Sequence, residues 1–193
     1  MKHFYFVCFC FVSLLSCKQN KKTIINATAT DTVKVFPVND FILNDINDVE
    51  KTAYYIYQIT TAANKKRDSS KLTVQEFKTT ANAFLEKNIN VYGLKNQYKE
   101  SVFNDLSTNS YTIVYKTVNE QLPVKDVTIL LDNGNNKLKR IFITCEFEKN
   151  DSTFTEKYYW KAGKSFQINK LITAKNKKAT EEQKKVVWND TKE

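Results

Sequence analysis

The sequence predicts an α+β domain in which two N-terminal helices pack on a five-stranded antiparallel β-meander. Three observations point there. Apolar residues recur at helical spacing in the first half of the chain. Beyond Tyr111 the period changes to strict alternation, in five segments separated by polar turns. The registers of those segments are also mutually consistent. With 41% hydrophobic and 26% charged residues, and three Gly and two Pro among 193, collagen-like, low-complexity and wholly disordered chains are excluded.

The first helix is expected over about Asp45 to Ala63, where Ile46, Val49, Ala53, Ile56 and Ala63 form a stripe widened by Tyr54, Tyr55 and Tyr57. The second is marked by Thr73, Val74, Gln75 and Glu76, a capping box in which Thr73 and Glu76 satisfy each other's free amides. Leu72 and Phe77 are placed to staple that end. Val74, Phe77, Ala81, Phe84 and Leu85 make its apolar face.

Strands are expected over 111–118, 124–131, 138–148, 153–161 and 165–174. A slip of one residue would turn every apolar side chain to the other face, so the registers are testable against one another. Setting Trp160 opposite Phe166 puts Tyr158 opposite Ile168, Glu156 opposite Lys170 and Phe154 opposite Ile172. Setting Phe147 opposite Phe154 then puts Ile143 on Tyr158 and Ile141 on Trp160. Two apolar rows result: Ile113, Ile129, Ile141, Trp160, Phe166, and Tyr115, Val127, Ile143, Tyr158, Ile168. The opposite face carries Thr112, Thr128, Arg140, Thr144, Lys157, Gln167 and Asn169, which suit water.

Helices leading into a curved antiparallel sheet, closed by the hairpin from Tyr158 to Ile168, resemble the NTF2-like or cystatin-like superfold over about 45–174. The resemblance implies a sheet curled around a pocket. Half-barrel carriers of lipoproteins look similar, but they build a larger sheet than these five segments supply.

The chain opens with Lys2 and His3, followed by an uncharged run from Phe4 to Leu15 that is too short to span a bilayer and reads as a signal peptide over 1–16. Leu14, Leu15, Ser16 and Cys17 resemble the lipobox of bacterial lipoproteins. That resemblance implies that Cys17 becomes the first mature residue and carries two or three acyl chains, a permanent membrane anchor. By the same resemblance, Lys18, where an aspartate would favour inner-membrane retention, implies the outer membrane. The missing acidic export run points to its periplasmic face. Residues 17–40, rich in Lys, Asn, Thr and Ala without sustained period, are expected to be a flexible tether. The folded domain is expected over 41–174, with 175–193 as a charged tail or short helix ending in Val186, Val187 and Trp188.

His3 is the sole histidine and leaves with the signal peptide, which removes Ser-His-Asp and Cys-His catalysis and imidazole metal ligands. Cys8 and Cys10 leave too. Cys145 is then the one unlipidated cysteine, so no disulfide, thiolate metal site or cofactor is expected. Gly93, Gly134 and Gly163 are too scattered for a phosphate loop. The net charge of +9 is nearly all lysine, with Arg67 and Arg140 the only arginines, which weighs against nucleic acid. The runs Lys65 to Arg67 and Lys175 to Lys178 read as solvated loop and tail.

Two candidate sites emerge. On the inner face Thr117, Lys125, Cys145, Glu156 and Lys170 fall side by side, with Tyr158 and Trp160 in the rows above. This is a ligand-binding set or, more simply, a cross-strand ion pair beneath a helix end. On the outer face Phe142 and Tyr159 stand opposite each other, as an interaction surface or as a seat for a terminal helix. Glu146 and Glu148 alternate onto that face as well. The expected function is a lipid-anchored envelope module that binds an envelope protein or a small apolar ligand without catalysis. The alternatives are a carrier of a lipid or other amphiphile between helices and sheet, and a glycan hydrolase using carboxylates.

Overall fold

A computed structural model describes residues 35–191, apart from positions 92, 108, 175 and 176. The signal peptide, Cys17 and most of the expected tether lie outside the described residues. Among the described residues two α-helices, α1 (Val38–Lys51) and α2 (Val74–Leu85), accompany nine strands. These are β1 (Tyr57–Thr61), β2 (Arg67–Lys71), β3 (Tyr98–Asp105), β4 (Ser110–Thr117), β5 (Val124–Asp132), β6 (Leu138–Lys149), β7 (Ser152–Lys161), β8 (Ser165–Ala174) and β9 (Thr180–Val187). All nine form one antiparallel sheet in the order β2-β1-β9-β8-β7-β6-β5-β4-β3.

The expected five-stranded meander beneath two helices, NTF2-like or cystatin-like, is therefore overturned. The molecule is mostly one large sheet, in which the five expected strands are the contiguous run β4 to β8, with β3 added on one side and β9, β1 and β2 on the other. Within those five, Trp160 faces Phe166, Ile143 faces Tyr158, Ile129 faces Ile141 and Ile113 faces Ile129. The turns hold those registers. Asn150 and Asp151, both at positive φ (51° and 54°), make the two-residue β6–β7 turn, whose handedness matches strand twist. Asp132 Oδ1 accepts from the Gly134 and Asn135 amides at the β5–β6 turn.

The expected first helix is displaced. It starts at Val38, inside the expected tether, and ends at Lys51, while Tyr57–Thr61 is strand. The expected tail is strand β9, which joins β8 to β1. The second helix has the expected capping box: Thr73 Oγ1 accepts from the Glu76 amide, and Glu76 accepts from the Thr73 amide at 2.8 Å.

The core lies between the sheet and the helix layer. Val38, Ile42, Ile46 and Val49 of α1 and Phe77, Ala81 and Phe84 of α2 face it. Phe84 meets Tyr158, Trp160 and Phe166 edge-on at 5.2, 5.0 and 5.2 Å between centroids. Trp188, just past β9, lies against Phe77 at 5.2 Å and Trp160 at 5.5 Å. Each such ring pair contributes about 0.5–1.5 kcal/mol beyond its buried area. Two polar clasps fix α1 across the sheet. Asp45 accepts from the Trp160 indole N–H (2.7 Å) and the Gly163 amide (2.9 Å), and the Phe36 amide donates to the Tyr115 hydroxyl (3.0 Å).

Candidate functional site

The inner row is built by strand register. Glu156 on β7 sits between Cys145 on β6 and Lys170 on β8. Its carboxylate is buried, with 6% of the residue exposed, and three groups hold it. Tyr158 donates its hydroxyl to Oε2 at 2.5 Å, Lys170 Nζ approaches Oε1 at 3.1 Å, and Lys87 Nζ, just beyond α2, stands 3.9 Å from Oε2. Lys87 also lies over the Tyr158 ring, 5.3 Å from its centroid. Burial by itself would raise the carboxyl's pKa. The hydrogen bonds from Tyr158 and Lys170 and the charges of Lys170 and Lys87 outweigh it, so Glu156 is held below its ordinary value. Burial pushes the Tyr158 hydroxyl upward, helped by the neighbouring carboxylate, and pushes the Cys145 thiol to about 11. Cys145 is therefore a neutral thiol at neutral pH, with no thiolate to act as nucleophile.

Sequence reasoning placed Glu156, Lys170 and Tyr158 together, as the structure does, and missed Lys87, which arrives from the end of α2. No strand register could reveal it. Lys125 does not join the row. The β5 strand bulges between Val124 and Asp126, so Val124 is the residue opposite Cys145, and Lys125 Nζ donates to the Glu120 carbonyl. Thr117 likewise turns to the Gln97 and Asn119 carbonyls (3.3 and 3.0 Å). Trp160 is 1% exposed and belongs to the core, with Asp45 as its hydrogen-bond partner. Beyond the row, Phe147 and Phe154 stack at 5.2 Å with Ile172 beside them, all half-buried.

On the outer face Phe142 and Tyr159 meet edge-to-face, 5.6 Å between centroids and 88° between planes. Strand alternation places Arg140 two residues from Phe142 and Lys157 two residues from Tyr159 on this face. Lys185 of β9 lies in the row of Tyr159, past Gln167. All three cations are exposed. Trp188, expected in a helix crossing this face, is instead buried on the opposite side.

A cleft of about 470 Å³ opens between α2 and the inner face of β1, β2 and β9, lined by Gln58, Ser70, Lys71, Gln75, Thr79 and Lys184 among others. Leu72 and the hydrocarbon stems of its lysine and glutamine side chains share the walls with amides, hydroxyls and charged groups. Among the described residues no group of three or more His, Cys, Asp or Glu is arranged to hold a metal, and no helix is long and apolar enough to cross a membrane.

No protein-family model, curated protein or solved structure matches this chain.

Proposed function

We propose that this chain is a binding module of the bacterial cell envelope, held at the outer membrane by lipid on Cys17, and that its outer sheet face takes an acidic glycan. The observation that carries the reading is the Phe142–Tyr159 pair set among Arg140, Lys157 and Lys185. Aromatic rings stack on sugar rings, and flanking cations fit carboxylate or phosphate substituents.

Electrophoresis of the folded domain through gels containing polygalacturonate tests this. Retardation is expected, weakened by added salt and reduced in a Phe142→Ala/Tyr159→Ala variant. A wild-type protein that migrates identically with and without the polymer would defeat the reading.

Carriage of an amphiphile is the second reading. The nine-stranded sheet with its helix layer and the half-buried Phe147, Phe154 and Ile172 favour it. The rings of Phe77, Phe84, Trp160 and Phe166 weigh against it, because they occupy the space between helices and sheet and are 0–1% exposed. Native mass spectrometry of protein taken from cells separates the two, since a carrier emerges with bound acyl species. The clasp of Tyr158, Lys170 and Lys87 weighs against Glu156 as the general acid of a hydrolase, because it holds the carboxyl deprotonated at neutral pH.

A further inference from the structure

The two edges of the sheet are built differently. Strand β2 at one edge is five residues long and entirely exposed, and reads Arg67, Asp68, Ser69, Ser70, Lys71. Short, charged edges of this kind discourage pairing with another chain. Strand β3 at the other edge is eight residues long and exposes Val102 and Phe103 (41% each), with Leu106 beyond its end at 79%. Among the described residues β3 pairs with β4 and with no other strand.

The backbone pattern restricts what can join that edge. The Val118 amide donates to the Gln97 carbonyl at 2.8 Å, so in the β3–β4 register the odd-numbered residues of β3 exchange hydrogen bonds with β4. The amides and carbonyls of Glu100, Val102 and Asn104 therefore point away from the sheet. An antiparallel neighbour identical to β3 must then bring even-numbered residues opposite even-numbered ones. Of the registers this permits, centring on Glu100 sets two glutamates together, and centring on Ser101 sets Lys99 on Phe103. Centring on Phe103 sets Glu100 on Leu106. Centring on Val102 sets Lys99 opposite Asp105 twice, Glu100 opposite Asn104 and Val102 on Val102, with no like charges facing.

We propose that β3 is the contact edge of a homodimer, two copies pairing β3 to β3 antiparallel and centred on Val102. The pair joins the two sheets into one. Val102 lies opposite Ile113 on β4, so the apolar row through Ile113, Ile129, Ile141, Trp160 and Phe166 continues across the interface. Charge complementarity favours this register, with Lys99 of each copy opposite Asp105 of the other, whose Oδ1 also accepts from the Ser107 amide (2.9 Å) and hydroxyl (2.6 Å) of its own chain.

Cysteine crosslinking of the full-length chain in its own membrane tests the register. In the proposed pair Ser101 faces Phe103 of the second copy at a non-hydrogen-bonded position, about 4.5 Å between Cα atoms and within disulfide reach. On denaturing gels after oxidation the double variant Ser101→Cys/Phe103→Cys is expected to run as a covalent dimer, while each single variant and the wild type run at the mass of one chain. A monomeric double variant, a single variant crosslinking to itself, or a product whose mass is not twice the chain would overturn the proposal. A second measurement needs no substitution at the interface: sedimentation of the detergent-solubilised wild type should give twice the chain mass, and a single chain mass refutes it. Lys99→Glu, which opposes two carboxylates at both ends of the pair, should raise the dissociation constant about tenfold.

Discussion

Asp45 and Glu156 show what single buried carboxylates do in this molecule. Asp45 is half-buried and accepts from Trp160 and Gly163. Burial raises its pKa, opposed by those hydrogen bonds. Asp45→Ala strands both donors at about 1–3 kcal/mol each, so urea unfolding should show a loss of about 2–6 kcal/mol. Glu156 titrates in the other sense. Its folded pKa lies below the ordinary 4.5, so its contribution to stability is complete above that pH and is lost as pH falls through the folded value. The urea midpoint of the wild type should fall on acidification below about pH 4.5, and Glu156→Gln should flatten that fall while lowering the midpoint at neutral pH. The Glu156–Lys170 contact was legible because both lie in one hairpin register. Asp45 was not, since nothing local ties it to a residue more than a hundred positions away.

At the scale of elements, the ones read correctly are those whose signal is local. Thr73 and Glu76 announce α2, and alternation with tight turns announces β4 to β8. Thr73→Ala should cost about 1 kcal/mol, read from thermal unfolding. Phe84→Ala removes the ring that Tyr158, Trp160 and Phe166 surround and should cost about 3–5 kcal/mol. The displaced first helix has a physical cause. Helical spacing runs on by coincidence through Ile56, but residues 54–61 are Tyr, Tyr, Ile, Tyr, Gln, Ile, Thr and Thr, whose aromatic and β-branched side chains suit a strand. That composition was a usable signal. Strand β2, with every residue exposed, carried none.

For the whole molecule the decisive element is β9. Thr180, Glu181, Glu182, Gln183, Lys184 and Lys185 have the composition of a solvated tail, and only Val186 and Val187 of the strand are buried. Yet β9 is the neighbour that connects β1 and β2 to the rest of the sheet, and it delivers Trp188 to the core. A chain ending at Lys178 should therefore lose more than one strand. Near-UV circular dichroism is expected to show collapse of the aromatic environment, and limited proteolysis should cut within 57–71 first. Trp188→Ala, which keeps the strand, should cost about 3–5 kcal/mol without that early cleavage.

What the sequence determined by itself is whatever is written within a hairpin or a helical turn. That covers the registers of five strands, the capped second helix, the Glu156–Lys170 and Phe142–Tyr159 pairs, and the absence of histidine from the folded domain. Only the tertiary structure decided how many strands the sheet has, where Lys87 and Asp45 act, and which side of the sheet Trp188 occupies. The reason is that β2, β3 and β9 are polar along much of their length. Backbone hydrogen bonds to strands already in place hold such segments extended, and those bonds leave no pattern in the side chains.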